Sequence, residues 1–253
     1  MPRTPPDQEP WYVAAFEADY LERYAHRDEA SARAEGPFLS RALSLPAGGR
    51  VLDLCCGAGR HSRTLAAAGL RVLGVDLSLA LLRRARAEAP GIPVLRADMR
   101  ALPLAGASLD GAVNLFTSFG YFESDAENAR ALNEVARVLR PGGRFVIDFL
   151  NLPRTLANLQ PHNERTSGND RIVEHRRYDA IRRRLVKDVT VYKNDGAVRK
   201  RLVESVRAFA PDELIALLER SGLSVLERCG DLAGAVFSGT DSPRCVLVAE
   251  RPR

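Results

Sequence analysis

The chain of 253 residues has little of what marks a special environment. Its four cysteines, Cys55, Cys56, Cys229 and Cys245, fall in no metal-ligand spacing and are too few to staple a chain of this length. No apolar run approaches the ~20 residues that a membrane-crossing helix needs. The four histidines, His26, His61, His162 and His175, are scattered, with no catalytic triad or metal cluster around them, and each reads as structural or exposed. No internal repeat is present, and no order of basic, apolar and small residues marks a leader peptide at the start. A reduced, cytoplasmic setting is therefore expected, with no membrane partner and no metal. With 45% apolar and 27% charged residues the chain is neither disordered nor fibrous, and its length suits one α/β domain carrying a small insertion.

The net charge of +5 is unevenly placed. Residues 171–201 hold 11 Lys/Arg and 4 Asp/Glu, a local +7, so the rest of the chain sums to −2. Such a segment can bind phosphates. The preferred reading is the solvated face of an antiparallel sheet.

Residues 1–10 contain Pro2, Pro5, Pro6 and Pro10 and are expected to form a disordered tail. Tyr12, Phe16, Tyr20 and Tyr24 then recur every fourth residue, with Leu21 beside them, as one face of a helix. That stripe is either core packing or a lid, and residues 11–49 are read as an N-terminal helical lid. From residue 50 strands and helices alternate. Strands are expected at 51–54, 71–75, 92–96, 109–116 and 144–150. Helices follow Gly59, Ser78 and the capping-box sequence Ser124-Asp125-Ala126-Glu127, and Pro141-Gly142-Gly143 closes the last of them. This pattern predicts a doubly wound, mostly parallel, Rossmann-like sheet over 50–150. Residues 151–170 lack a period and are expected to be a loop. Three strands at 171–180, 184–193 and 198–210, with the hairpin signal Asn194-Asp195-Gly196, predict a small antiparallel insertion after the fifth strand, within 151–210. Residues 211–253 supply a helix and two further strands, which makes the main sheet seven-stranded.

The most informative stretch is Val51-Leu-Asp-Leu-Cys-Cys-Gly-Ala-Gly59: a strand, a glycine turn and a helix. Glycines let a ligand approach the backbone. A dinucleotide motif would place its third glycine at position 62, where Ser62 stands, so a nicotinamide oxidoreductase is disfavoured. Asp53, Asp76 and Asp98 fall at the carboxyl ends of three successive strands. A carboxylate after the second strand suits the two hydroxyls of a ribose, and one after the third can accept from an exocyclic amine. Together they point to a nucleoside site.

These segments, VLDLCCGAGR, the acid in VLGVDLS, LRADMRALPL and LRPGGRFVID, resemble the class I S-adenosylmethionine-dependent methyltransferases in order and spacing. Cys55 departs from the pattern, because many members have a glycine there. The N-terminal helix and the inserted sheet are similar to the small-molecule branch of the family, which includes glycine and amino-sugar N-methyltransferases. The resemblance implies S-adenosylmethionine as cofactor. Gly57 and Gly59 would lie against its methionine part, and Asp53 would order that loop or meet the amino group. Asp76 would bind the ribose, with Leu77 against the adenine. Asp98 would meet the adenine amine and Met99 its ring edge, while Asn114 and Phe116 would flank the sulfonium.

The expected reaction is methyl transfer to nitrogen or oxygen of a small-molecule acceptor, with the protein aligning the reactants. Tyr20, Tyr24 and Tyr121 are the candidates if a side chain assists. Nucleic acid is not an expected partner, since Asn114-Leu-Phe lacks the proline pair with which base-modifying enzymes hold a flipped base. An RNA methyltransferase using residues 171–201 and a non-catalytic cofactor-binding module stand as alternatives. A monomer or homodimer is expected.

Overall fold

The computed structural model describes residues 10–16 and 29–253. Most of the expected N-terminal tail, together with Tyr20, Leu21, Tyr24 and His26, lies outside the described residues.

Helix α1 spans Trp11–Ala15 and stops there, because Phe16 leaves helical geometry at φ −106°, ψ 46°. The aromatic stripe is thus not carried on one unbroken helix as expected: Tyr12 is on α1 and Phe16 just beyond it. Helix α2 (Glu29–Leu43) buries Phe38, Leu39, Ala42 and Leu43. Next come β1 (Arg50–Leu54), α3 (Arg60–Ala67), β2 (Arg71–Asp76), α4 (Leu79–Glu88), β3 (Val94–Arg96), β4 (Leu109–Asn114), α5 (Asp125–Val138) and β5 (Leu139–Leu150). Ser78 caps α4 by accepting from Leu81 N–H. Ser124 and Glu127 form a reciprocal capping box on α5.

After β5 the chain forms α6 (Leu152–Ala157), then β6 (His162–Ser167), β7 (Asp170–Asp179), β8 (Arg184–Tyr192) and β9 (Val198–Arg207). Helix α7 (Pro211–Arg220) leads into β10 (Ser224–Cys229) and β11 (Arg244–Glu250). The main sheet runs β10-β11-β5-β4-β1-β2-β3, and β11 is antiparallel to both its neighbours. The expected seven-stranded α/β architecture is therefore present. The second sheet, β6-β7-β8-β9, is antiparallel throughout.

Two further expectations need correction. Residues 151–170, read as a loop, hold α6 and the edge strand β6. Every β6 side chain is half-buried or exposed, so its sequence HNERTS carries no apolar alternation. The Pro141-Gly142-Gly143 segment does not end a helix in a free turn but lies inside β5, where the β4–β5 register shifts. Gly142 takes φ +77° there, and a Cβ on Gly143 would meet the Arg140 carbonyl at 2.8 Å.

The sheet separates two buried layers. Leu52, Leu54, Phe145 and Ile147 face α5 and α7, and Val51, Val72, Val113 and Val146 face α2 and α3. Such parallel strands are apolar on both sides because helices cover both faces. Each fully buried Leu, Ile or Phe contributes about 1.5–3 kcal/mol. Strand order reverses between β1 and β4, so a crevice opens outside their carboxyl ends.

Candidate active site

The turn after β1 is built from left-handed residues: Cys55 at φ +61°, Gly57 at +56° and Gly59 at +78°. Cys55 occupies the place where a glycine would be unstrained, a conformation that costs a side-chain-bearing residue about 1–2 kcal/mol. Cys56 N–H donates to the Val75 carbonyl at 3.0 Å, which ties the turn to β2. Gly57 N–H donates to Asp76 Oδ2 at 2.8 Å, and Ser78 N–H to Asp76 Oδ1 at 2.8 Å. Asp76 thus joins two loops and keeps lone pairs on both oxygens. Burial pushes its carboxyl above the usual carboxylate range.

Asp76, Leu77, Gly57, Asp98 and Met99 all line one cleft, together with Cys55, Leu81 and Ala97. Asp53 and Gly59 are not among the lining residues. Asp53 is buried, its carboxyl raised by that burial, and accepts from Ser62 Oγ at 2.5 Å. Of the two roles implied for it, ordering the loop is the one this contact serves. Ser62, the residue that breaks the dinucleotide pattern, is the donor. Gly59 precedes α3 and packs on α4, where an added Cβ would sit 3.3 Å from Ala85 Cβ.

Asp98 accepts from Arg100 N–H at 2.8 Å and from the Arg100 guanidinium at 2.6 Å. Burial alone would raise the Asp98 carboxyl, but the Arg100 bonds outweigh it and hold the group below its ordinary value. Arg100 also pairs with Glu127 at 2.5 Å and lies 4.3 Å over the Phe122 ring. Met99 is buried, with its sulfur 3.9 Å from that of Cys55.

Asn114, at the end of β4, is buried and donates to the Leu54 carbonyl at 3.1 Å. Its Oδ1 has no partner. Phe116, expected beside it, turns away from the cleft: its ring lies under Arg60 (3.9 Å) and beside His61 (5.6 Å). The cause is local. Phe116 and Thr117 are both left-handed, at φ +60° and +59°, and are held so by Asp148, which accepts from both backbone N–H groups. That reversal swings Ser118 and Tyr121 into the cleft instead.

Tyr121 is the one expected assisting tyrosine within the described residues. It stacks on Phe16 (centroids 5.7 Å apart, 21° between planes) and meets Trp11 edge-on at 4.9 Å. Tyr12, Val13 and Phe16 line the same cleft, so one wall is aromatic and comes from the N-terminal segment. Sequence reasoning missed Ser118, Phe122 and Arg100. Only Arg100 had a signal, its place in LRADMR. Among the described residues no His, Cys, Asp or Glu group could hold a metal. A carboxylate with free lone pairs, an apolar slot and an aromatic wall can take a ribose, a flat base and a small acceptor in a row.

Residues 51–143 match the model of a methyltransferase domain. The chain is 34% identical over 205 residues to the ubiquinone/menaquinone biosynthesis C-methyltransferase of Syntrophotalea carbinolica, covering 78% of each chain. The CcbJ methyltransferase from Streptomyces caelestis shares the fold, with a TM-score of 0.80 at 21% identity over 95% of this chain and 98% of that one. CalS10, an amino pentose methyltransferase from Micromonospora echinaspora solved with S-adenosylmethionine bound, superposes with a TM-score of 0.67 at 25% identity, over 96% and 99% of the two chains. The chain belongs to the class I S-adenosylmethionine-dependent methyltransferases.

Proposed function

We propose that this enzyme methylates a nitrogen or oxygen atom of a small-molecule acceptor held between the cofactor cleft and the aromatic wall. The observation that carries the reading is Asp76. It is fixed by two main-chain N–H groups at the end of β2, lies in the cleft, and retains the acceptor lone pairs that a ribose diol needs. Leu77, Leu81, Ala97 and Met99 supply an apolar slot for the adenine. Gly57 leaves the backbone open to the methionine part, because no Cβ projects from it.

When bound, S-adenosylmethionine supplies an already activated methyl group, so the chain's own work is placement and exclusion of water. Asp76 holds the ribose end. Tyr12, Phe16 and Tyr121 cover the open carboxyl edge of the sheet, and the Tyr121 hydroxyl stands as the group to orient or accept from the acceptor. Asp98 is already engaged by Arg100, so its part is to accept one further bond from the adenine amine. Asn114 is not among the cleft-lining residues, but its amide bonds the carbonyl of Leu54, which is, and its buried, unpaired Oδ1 is a further acceptor behind the wall.

The inserted sheet supports a small acceptor over RNA. Glu164–Arg171, Asp188–Arg177 and Asp170–Arg199 pair much of its positive charge. A second reading, transfer to carbon, is favoured by the name of the Syntrophotalea relative. No helix among the described residues is long and apolar enough to cross a membrane, and we place the enzyme in the cytoplasm as a monomer or homodimer. Incubation with methyl-deuterated S-adenosylmethionine and a panel of amines, sugars, phenols, quinols and mixed RNA, read by mass spectrometry, tests this. A labelled N- or O-methyl product is expected. Label on carbon would establish the second reading, and label only in RNA would refute both.

A further inference from the structure

We infer that Arg184, on the inserted sheet, is a positioning residue that fixes Tyr121 in the acceptor wall; this rests on the proposed reading of the cleft. Arg184 is only 5% exposed. Its guanidinium donates to the Phe122 carbonyl at 2.8 Å, the Tyr121 carbonyl at 3.2 Å and the Ser205 carbonyl at 2.6 Å, and its Nε to Ser205 Oγ at 2.7 Å. Among the described residues no carboxylate comes within ion-pair distance of it. A buried arginine without a carboxylate partner is costly, and this one spends its donors on the two loop carbonyls flanking the cleft and on its own sheet.

Its setting makes the arrangement more demanding. Arg184 is the cross-strand partner of Arg207, so two buried cations sit side by side, which a sheet alone would disfavour. Arg207 faces the same loop: its N–H donates to the Gly120 carbonyl at 2.7 Å, and its side chain pairs with Asp125 at 3.0 Å. Gly120 has φ +85°, and a Cβ on it would sit 2.7 Å from the Arg207 carbonyl, so the contact admits only glycine without a shift. The inserted sheet therefore grips residues 120–125 from behind while Tyr121 presents its ring to Trp11, Tyr12 and Phe16. Helix α1 also packs against β9 of the same sheet. The insertion acts as the mount for both halves of the aromatic wall, and Arg184 is the bolt on the Tyr121 half.

Trp11 is the only tryptophan of the chain, so its emission reports this packing directly. Arg184→Lys, Ser205→Ala and Tyr121→Ala are compared with the wild type for acrylamide quenching of Trp11 without ligand and for calorimetric affinity for S-adenosylhomocysteine. Quenching in Arg184→Lys should rise to the level of Tyr121→Ala, and the double variant should show no further rise. Affinity for S-adenosylhomocysteine in Arg184→Lys should fall as far as in Tyr121→Ala and no further, since Asp76 and Gly57 are untouched. If Arg184→Lys fails to fold by circular dichroism, Ser205→Ala, which removes one anchor of the guanidinium, decides by an intermediate rise. Wild-type quenching in every folded variant at Arg184 or Ser205 would overturn the proposal. A wild-type protein that did not bind S-adenosylhomocysteine would overturn the reading of the cleft instead, and the ligand-free quenching would still judge the mount.

Discussion

On the proposed reading Asp76 and Gly57 hold the cofactor, and each makes a separable prediction. Removing the Asp76 carboxylate deletes charge-assisted bonds to a ligand in a buried cleft. Asp76→Ala should therefore weaken S-adenosylmethionine binding by about 1.5–3 kcal/mol, measured by calorimetry; unchanged affinity would take Asp76 out of the site. Gly57→Val should abolish binding while the chain stays folded, because φ +56° and a branched side chain in the cleft are both unfavourable. Normal binding by that variant, seen beside a native circular dichroism spectrum, would make the loop merely structural. These two residues were legible because a glycine turn and an acid at fixed strand ends have a chemical meaning in one dimension. Phe116 was not. Its ring direction depends on two consecutive left-handed residues and on Asp148, 32 positions away, and neither can be read from spacing. Asp98 was placed in the cleft, but its prior engagement by Arg100 is a matter of side-chain direction.

Helices and strands of the main sheet were legible where capping residues and apolar periods coincide, as at Ser78 and Ser124. Strand β6 was missed because an edge strand with no buried side chain has no period to show. Helix α5 offers a test of how such elements are tied down. Arg137 donates to Glu134 at 2.6 and 2.8 Å, and Glu134 accepts from Leu102 N–H at 2.7 Å, which fastens the segment after β3 to the helix. The Arg137 bonds hold the Glu134 carboxyl below its ordinary range. A depressed folded value gives stability that is full above the unfolded pKa and lost as pH falls through the folded one. Glu134→Gln should thus cost roughly 1–2 kcal/mol near neutrality and progressively less in acid, below the ordinary glutamate range. Denaturant melts at several pH values would check this, and a cost independent of pH would contradict it. The N-terminal segment makes a second claim at this scale. A chain lacking residues 1–16 should keep the sheet but lose turnover and cofactor affinity together. Full affinity in the truncated protein would reduce the aromatic wall to packing.

For the molecule as a whole, the sheet order puts the glycine turn, Asp76 and Asp98 along one edge, and the N-terminal segment and residues 118–122, backed by the inserted sheet, line the cleft from the other side. Sequence resemblance reached the first half of this arrangement, since the motifs lie in one stretch of about a hundred residues. The closure joins residues 11–16, 118–122 and 184–207, which no local pattern links. The basic stretch 171–201 was read as the solvated face of an antiparallel sheet, and its pairing with Glu164, Asp170 and Asp188 shows how part of such a charge can be spent within its own sheet. Hydrogen exchange of the full chain with and without S-adenosylhomocysteine tests the whole arrangement most directly. Exchange should slow at 55–59, 76–81 and 97–99 and also at 11–16, with 171–201 unchanged; equal exchange at those four segments under saturating ligand would contradict it.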